Sequence, residues 1–409
     1  MVSVNLGIIC KGNCGKANCP VCTRLRAMYK NRPLLEKESF FGSTPNVFIG
    51  RFGYPHVNVG ILSPTQDIEQ SWYSDAPRTW REEQLSIPSI VDLRARLVNA
   101  RTKADVRSQN KMITLAQDTS KSLKPVDVEI ALETKPRFSM QYESIATPMG
   151  AQATLKHASA TENISVKRKV DKMTSATDLV SSEGLSYLHQ HGFDEYFLTK
   201  LFSTGNLGVA ANRKLVPTRF AITAVDDILS KKQIEQIKTF PLLDTCQVYF
   251  GNNLGNYYLV ILFPSVFSFE LFETYLPAGI WHDQNVAQSE TDFELYDGRT
   301  AYAENCAGGY YAARIAVTEK LIEIKRQASA LVLRFVTDEY FAPLGVWNCR
   351  ETTKKALETK PLVFEERQLG LRYVEAFVKK KLGYVLSPLL EMSKVLEFVG
   401  KQRRLNEFS

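Results

Sequence analysis

The sequence predicts an α+β protein: a mixed or antiparallel sheet with packed helices, preceded by a small four-cysteine knuckle and ending in helices plus a flexible tail. Three observations carry this. Runs of β-formers bounded by Gly, Asn and Pro recur along the chain, segments with apolar residues three and four apart lie between them, and four of the seven cysteines crowd into the first 22 residues. The 409 residues are 44% hydrophobic and 23% charged, a globular composition that excludes collagenous, mucin-like and wholly disordered chains. The chain divides into a basic knuckle at 1–35, an N-terminal region with a polar connection at 36–180, a C-terminal α+β region at 181–400 and a tail at 401–409.

Residues 45–64, PNVFIGRFGYPHVNVGILSP, alternate β-formers with glycines around a Tyr54-Pro55 corner and predict strand, tight turn and strand. A helix is expected over Ile87–Asn99, where Ile90, Leu93 and Leu97 share a face. Residues 100–180 are polar, with short β-like pieces at Ser139–Glu143 and Val166–Val170, and fit either an extended, strand-poor connection or an open sheet. Helical spacing follows at 183–200. Thr218–Ala224 reads as a strand ending at Val225-Asp226-Asp227, with one of the aspartates capping a helix over Ile228–Lys238. Gln247–Phe250 and Tyr257–Phe263 form a hairpin around the turn GNNLGN. A helix over Gly309–Gln327 leads into a buried strand, Ala330–Val336, and two helices at 362–382 and 388–401 close the chain.

The charge is uneven. Lys plus Arg is 51 and Asp plus Glu is 44, for a formal +7, and six cations with no anion fall in residues 1–32: Lys11, Lys16, Arg24, Arg26, Lys30 and Arg32. A basic head on a nearly neutral body points to a polyanion, of which nucleic acid is the commonest. No basic segment followed by a long apolar run opens the chain, and Tyr257–Phe263 is far too short to span a bilayer, so no signal peptide or membrane partner is expected and a cytoplasmic, reducing location is.

Cys10, Cys14, Cys19 and Cys22 have the spacing C-x3-C-x4-C-x2-C, with glycines between them, while Cys246, Cys306 and Cys349 are scattered, as isolated buried thiols are. Four thiolates on a short loop can converge on one tetrahedral zinc in a closed, structural site; an iron–sulfur cluster is the alternative, although the separations differ from ferredoxin runs. Lys11, Lys16, Arg24 and Arg26 surround the site and are the candidate phosphate contacts.

Phosphate-loop, dinucleotide, zinc-protease and serine-hydrolase signatures are all missing. Catalytic candidates are Arg213, Arg219, Asp226 and Asp227, where basic groups precede paired carboxylates that could hold a phosphate and a divalent cation; structural pairing and helix capping explain them more simply. Arg51, Tyr54, His56 and Asn58 could line a nucleotide pocket or belong to a glycine-bent hairpin, and His189 and His191 read as surface helix residues.

Three segments, PNVFIGRFGYPHVNVG at 45–60, NRKLVPTRFAITAVDD at 212–227, and GGYYAARIAVTEKLIEIKRQASALVLRF followed by APLGVW at 342–347, together resemble the archaeal Nre family of DNA repair proteins, of the NreA type. The cysteines lie where that family carries its zinc finger, and the resemblance covers nearly the whole chain. One departure is Phe220-Ala221, where the family usually carries Trp-Ser. The resemblance implies a role in DNA damage repair and recruitment to the sliding clamp, PCNA. The terminal KQRRLNEFS keeps the Q-x-x-L-x-x-F spacing of clamp-interacting (PIP) peptides at Gln402, Leu405 and Phe408: a 3₁₀-type turn sets the two apolar anchors on one side, and Ser409 stands where a last aromatic is usual. A DNA-repair accessory protein that binds DNA and the clamp is therefore expected, with an enzyme acting on nucleic acid or a nucleotide through the Arg/Asp block as the alternative.

Overall fold

The computed structural model describes residues 10, 14–16, 18–66, 69–138, 148–277 and 286–401. They form two compact units that divide between Leu229 and Ser230, with the short segment 342–345 belonging to the first.

In the N-terminal unit the cysteine segment runs into helix α1 (Pro20–Asn31). Strands β1 (Ser39–Thr44), β2 (Asn46–Ile49), β3 (His56–Pro64), β4 (Leu97–Asp105), β5 (Val126–Leu132) and β6 (Gln152–Ala160) make a six-stranded sheet in the order β1-β5-β6-β4-β3-β2, among the described residues. Every pairing is antiparallel except β4 with β6. The hairpin expected at 45–64 is β2 and β3, joined through a cis Tyr54-Pro55 peptide, with Asn46 opposite Leu62 and Ile49 opposite Val59.

Helix α2 (Pro77–Glu82) precedes α3 (Ile87–Ala95), which stops four residues before the expected Asn99 because Leu97 and Val98 enter β4 instead. The region 100–180 is the open-sheet alternative, not a strand-poor connection. Its β5, VDVEIAL, buries Val126, Val128, Ile130 and Leu132 and turns Asp127 and Glu129 outward, the period-two pattern of a half-buried strand. Helix α4 (Lys111–Lys121) starts where the Asn110 side chain accepts the N–H groups of Met112 and Ile113, both at 3.0 Å. Val166–Val170 is no strand: it leads into α5 (Arg168–Ser175). Ser139–Glu143 lies outside the described residues. The 183–200 segment is two helices, α6 (Ser181–Gln190) and α7 (Glu195–Ser203), parted at Gly192, where φ is +84°.

The largest departure is at 218–227. Thr218–Ile237 is one continuous helix, α8, whose first amide bonds go to the Pro217 carbonyl. Phe220 and Ile222 mimic strand alternation, but Ala221, Val225 and Leu229 recur every four residues and are all buried, so the helical stripe wins.

The C-terminal unit holds a second six-stranded sheet, β7 (Cys246–Asn253), β8 (Asn256–Phe263), β9 (Ser268–Tyr275), β10 (Gln288–Glu294), β11 (Ser329–Val336) and β12 (Leu362–Phe364), in the order β10-β9-β11-β8-β7-β12 among the described residues. Only β9 and β11 run parallel. Every residue of β8 and β11 is buried, because helices cover both faces. Leu259, Ile261, Leu331 and Leu333 pack with Val374 and Val378 of α11 (Arg367–Leu382) and Val395 of α13 (Lys394–Lys401), after the short α12 (Ser387–Met392). Helices α9 (Ala307–Ile324) and α10 (Trp347–Leu357) pack against the sheet and each other. The β7–β8 turn sets φ of +48° at Leu254 and +75° at Gly255, and a Cβ at Gly255 would come within 2.4 Å of the Tyr340 nitrogen, so glycine is required there. Buried ion pairs tie this unit together: Arg334 with Glu273 at 2.5 Å, and Arg314 with Glu294 at 2.9 Å. No described helix is long and apolar enough to cross a membrane.

Candidate functional site

The four N-terminal thiols converge. Each of Cys10, Cys14, Cys19 and Cys22 brings its sulfur within 4.8 Å of the other three, and Cys22 lies 3.5 Å from both Cys10 and Cys14. Four sulfurs at about 2.3 Å from a tetrahedral ion stand about 3.8 Å apart, so the cluster has the dimensions of a single metal site. Its geometry is set by α1: Cys19 caps the helix by accepting the Cys22 N–H, Pro20 holds the first turn, and Cys22 projects back one turn later. The last two thiols of the expected knuckle thus sit at a helix start. The Lys16 N–H and then the thiols of Cys22 and Cys10 pull the Cys14 thiol down to about 7, whereas burial pushes Cys19 up. Crowded thiols resist losing their protons together unless a cation joins them. By contrast Cys246, Cys306 and Cys349 are buried thiols whose pKa values burial raises, and such thiols are inert.

The basic head does not present all its cations to solvent. Arg24 is buried and its Nη2 donates to the Met149 carbonyl at 3.3 Å, which removes it from the candidate phosphate contacts; nothing in the local sequence could reveal a partner 125 residues away. Lys16 and Arg26 are exposed, Arg26 donating its Nε to the Cys22 carbonyl. Lys11 lies outside the described residues. Asp92 on α3 docks the far end of α1 through Lys30 at 2.8 Å and the buried Asn31 amide at 3.0 Å, and also accepts from Arg96 at 2.9 Å.

The central block is arranged differently from expectation. Asp226 and Asp227 are neither at a strand end nor at a helix start; they sit inside α8 on successive residues, about 100° apart around the axis, with Asp226 fully buried and Arg219 and Asp227 half-buried. All three nitrogens of the Arg213 guanidinium donate to main-chain carbonyls, of Gly208, Thr174 and Ala176, at 2.6–2.7 Å, so this side chain closes the end of α5. The structure does bring the block to the 50–58 turn, through Thr218 Oγ1 accepting the Ile49 N–H at 2.9 Å and Leu215 packing on Ile49 and Val57. What it makes there is a glycine-bent tip: the Gly50 N–H reaches the Asn58 carbonyl, Arg51 lies over the Phe52 ring, and Phe52 and Tyr54 are exposed. His191 is exposed and bonds its Nδ1 to the Tyr187 carbonyl at 2.7 Å, a surface role. Gln402, Leu405 and Phe408 lie outside the described residues, which end at Lys401 on α13.

The N-terminal unit also carries a cleft whose residues are far apart in the sequence. The cleft, of about 740 Å³, is lined by the turn carrying Trp72 and Asp75, by Arg78 of α2, by Lys167–Lys169 at the start of α5, and by Phe193 to Lys200 on and before α7. The KRK run at 167–169 was its one visible signal. Burial lowers the Lys200 amine to about 8 against the opposing pull of Asp75 and Asp194, and its Nζ donates to the Ser122 carbonyl at 3.0 Å.

Comparison with known proteins covers the chain almost end to end. The family described as archaeal Nre, N-terminal, matches residues 13–282, and that described as archaeal Nre, C-terminal, matches residues 294–408. DNA repair protein NreB of Archaeoglobus fulgidus is 34% identical, over 98% of this chain and 99% of its own length. DNA repair protein NreA of the same organism is 36% identical, over 93% of this chain and 95% of its own. NreA of Haloferax volcanii is 35% identical over 79% of each. No solved structure matches. From both halves of the sequence, then, and from relatives matched over nearly their full lengths, the chain belongs to the archaeal Nre family.

Proposed function

We propose that this chain is a DNA-repair accessory protein that holds nucleic acid at a zinc-clipped basic head and is brought to the sliding clamp by its C-terminal tail. The observation that carries the reading is the convergence of four thiols at the start of α1, in a chain whose relatives are named DNA repair proteins. A closed set of four sulfurs has no open position for a water or substrate, so the ion's part is to fix the helix and the exposed cations beside it. Zinc suits the set better than an iron–sulfur cluster because the Cys-x3-Cys-x4-Cys-x2-Cys separations depart from ferredoxin runs. Lys16 and Arg26 then meet phosphates without reading bases, which makes binding sequence-independent and strongly salt-dependent. Leu405 and Phe408 supply two apolar anchors for the clamp and Gln402 a polar one.

Two measurements test the proposal. DNA affinity at several salt concentrations, compared between the wild type and Lys16→Ala/Arg26→Ala, should show a weaker affinity and a shallower salt slope in the variant. Binding to an archaeal sliding clamp should vanish in Leu405→Ala/Phe408→Ala. Unchanged DNA affinity in the first variant, or a double-alanine tail that binds the clamp normally, would remove the corresponding half of the reading.

A further inference from the structure

The cleft between α2, α5 and α7 combines two features that seldom share a concave surface. Five cationic side chains line it against two carboxylates. Both carboxylates are already engaged: Asp75 pairs with the buried Arg94 at 2.5 Å, and Asp194 caps α7 by accepting the Phe197 N–H at 2.9 Å while Arg78 stands 3.8 Å away. Arg78 is itself held by the buried Glu195 at 3.6 Å and Lys200 by the Ser122 carbonyl at 3.0 Å, so the charge the cleft offers an anion is that of the exposed run at 167–169. Lys167 and Lys169 are exposed, at a helix start that no side chain caps. The second feature is aromatic. Trp72 is 44% exposed in the cleft lining, and Tyr196 and Phe193 line it too, Phe193 lying 5.3 Å from Phe197 beneath it. The indole and the exposed lysines line the same cleft, so a ligand that joins a flat ring to a phosphate meets both.

We propose that this cleft binds a nucleotide, its base stacked on Trp72 and Tyr196 and its phosphate held by Lys167 and Lys169. The ligand is either a free nucleotide or an unpaired residue of a single strand; the chemistry of recognition is the same. The volume is that of a small-ligand site. A purely anionic partner such as an acidic peptide would use the lysines and leave the indole without a role, so the aromatic wall selects for a base. The inference does not depend on how the head meets DNA, because all the residues concerned lie at 72–200.

The test uses the full-length protein and three probes: an oligothymidylate of about ten nucleotides, a strand of the same length and charge without bases, and thymidine monophosphate as competitor. The wild type should prefer the base-bearing strand by about ten-fold or more. Trp72→Ala should remove that preference and Trp72→Phe keep most of it, with thermal denaturation showing both folded. Lys167→Ala/Lys169→Ala should weaken both strands alike and flatten the logarithmic salt slope by about one. Displacement of the strand by thymidine monophosphate identifies a free nucleotide as sufficient ligand; strand binding without displacement identifies a strand residue. Equal affinity for the two strands in the wild type, or a preference that survives Trp72→Ala, overturns the proposal, as does polyglutamate binding as tightly as oligothymidylate. The Lys16→Ala/Arg26→Ala variant should retain the base preference, which separates failure at the cleft from failure at the head.

Discussion

Asp92 is the point at which the cysteine-bearing helix can be loosened without touching a cysteine. Its carboxylate receives the buried Asn31 amide at 3.0 Å and the Lys30 ammonium at 2.8 Å, both from α1, while Arg96 approaches from its own helix. The Asn31 bond is a buried bond to a charged acceptor, worth about 1.5 kcal/mol or somewhat more. Lys30 is 65% exposed, so its pair adds only about 0.5 kcal/mol. Asp92→Ala should then cost α1 about 2 kcal/mol of docking, which speeds hydrogen exchange of the 20–31 amides about thirty-fold. Asp92→Asn keeps an acceptor for Asn31 and should cost less than half as much. Burial would raise the Asp92 pKa, but the bonds from Lys30, Arg96 and Asn31 outweigh it and hold the carboxyl below its ordinary range. A folded-state pKa below the unfolded one means that the contribution is present above about pH 4 and lost as pH falls through the lower folded value, so the gap between wild type and Asp92→Ala should close in acid. Unchanged protection of α1 in Asp92→Ala, or equal effects of Ala and Asn, would refute the reasoning.

Four further outcomes are expected. Purified protein should carry about one zinc per chain by elemental analysis, with Cys22→Ser losing it and the 20–31 amides losing protection. Arg24→Ala should lower thermal stability, by about 1–2 kcal/mol, with DNA affinity unchanged, because the side chain is buried against the Met149 carbonyl. Arg213→Ala should destabilise by about 2–4 kcal/mol in denaturant titration, since three carbonyls lose their donor together. On the proposed reading the segment 402–409 should bind the clamp at about micromolar strength at best by calorimetry, lose binding in Leu405→Ala/Phe408→Ala and gain it in Ser409→Phe.

Elements specified by their own residues were legible. The Asn-Leu-Gly turn and its largely apolar flanks give β7 and β8, the Gly-Tyr-Pro corner gives β2 and β3, and the crowded cysteines give the cluster of sulfurs. Elements decided by distant contacts were not. Phe220 and Ile222 look like one face of a strand until Ala221, Val225 and Leu229 are seen to be buried together, and the polar average over 100–180 hid the strict alternation of β5. The same holds for the site. Spacing identifies the thiols, but whether a cation is buried, as Arg24 is against Met149, or already bonded, as Lys30 is to Asp92, depends on tertiary partners.

Those partners change the arithmetic of the head. Of the six cations in residues 1–32, Arg24 is buried and Lys30 is bonded to Asp92, and a zinc held by four thiolates would itself carry a net charge of about −2, which the nearest cations partly balance. Two or three phosphate contacts are what remains, and at a slope of about 0.9 per contact they give a logarithmic salt dependence near −2 to −3. Contacts that few make weak binding at physiological salt. On the proposed reading the weakness has a remedy in the tail: a chain tethered to a clamp already on DNA meets phosphates at an effective concentration on the order of millimolar, so two weak attachments suffice where neither would alone. On that reading the head without its tether would sample DNA and leave it, and only with both ends engaged would the protein stay.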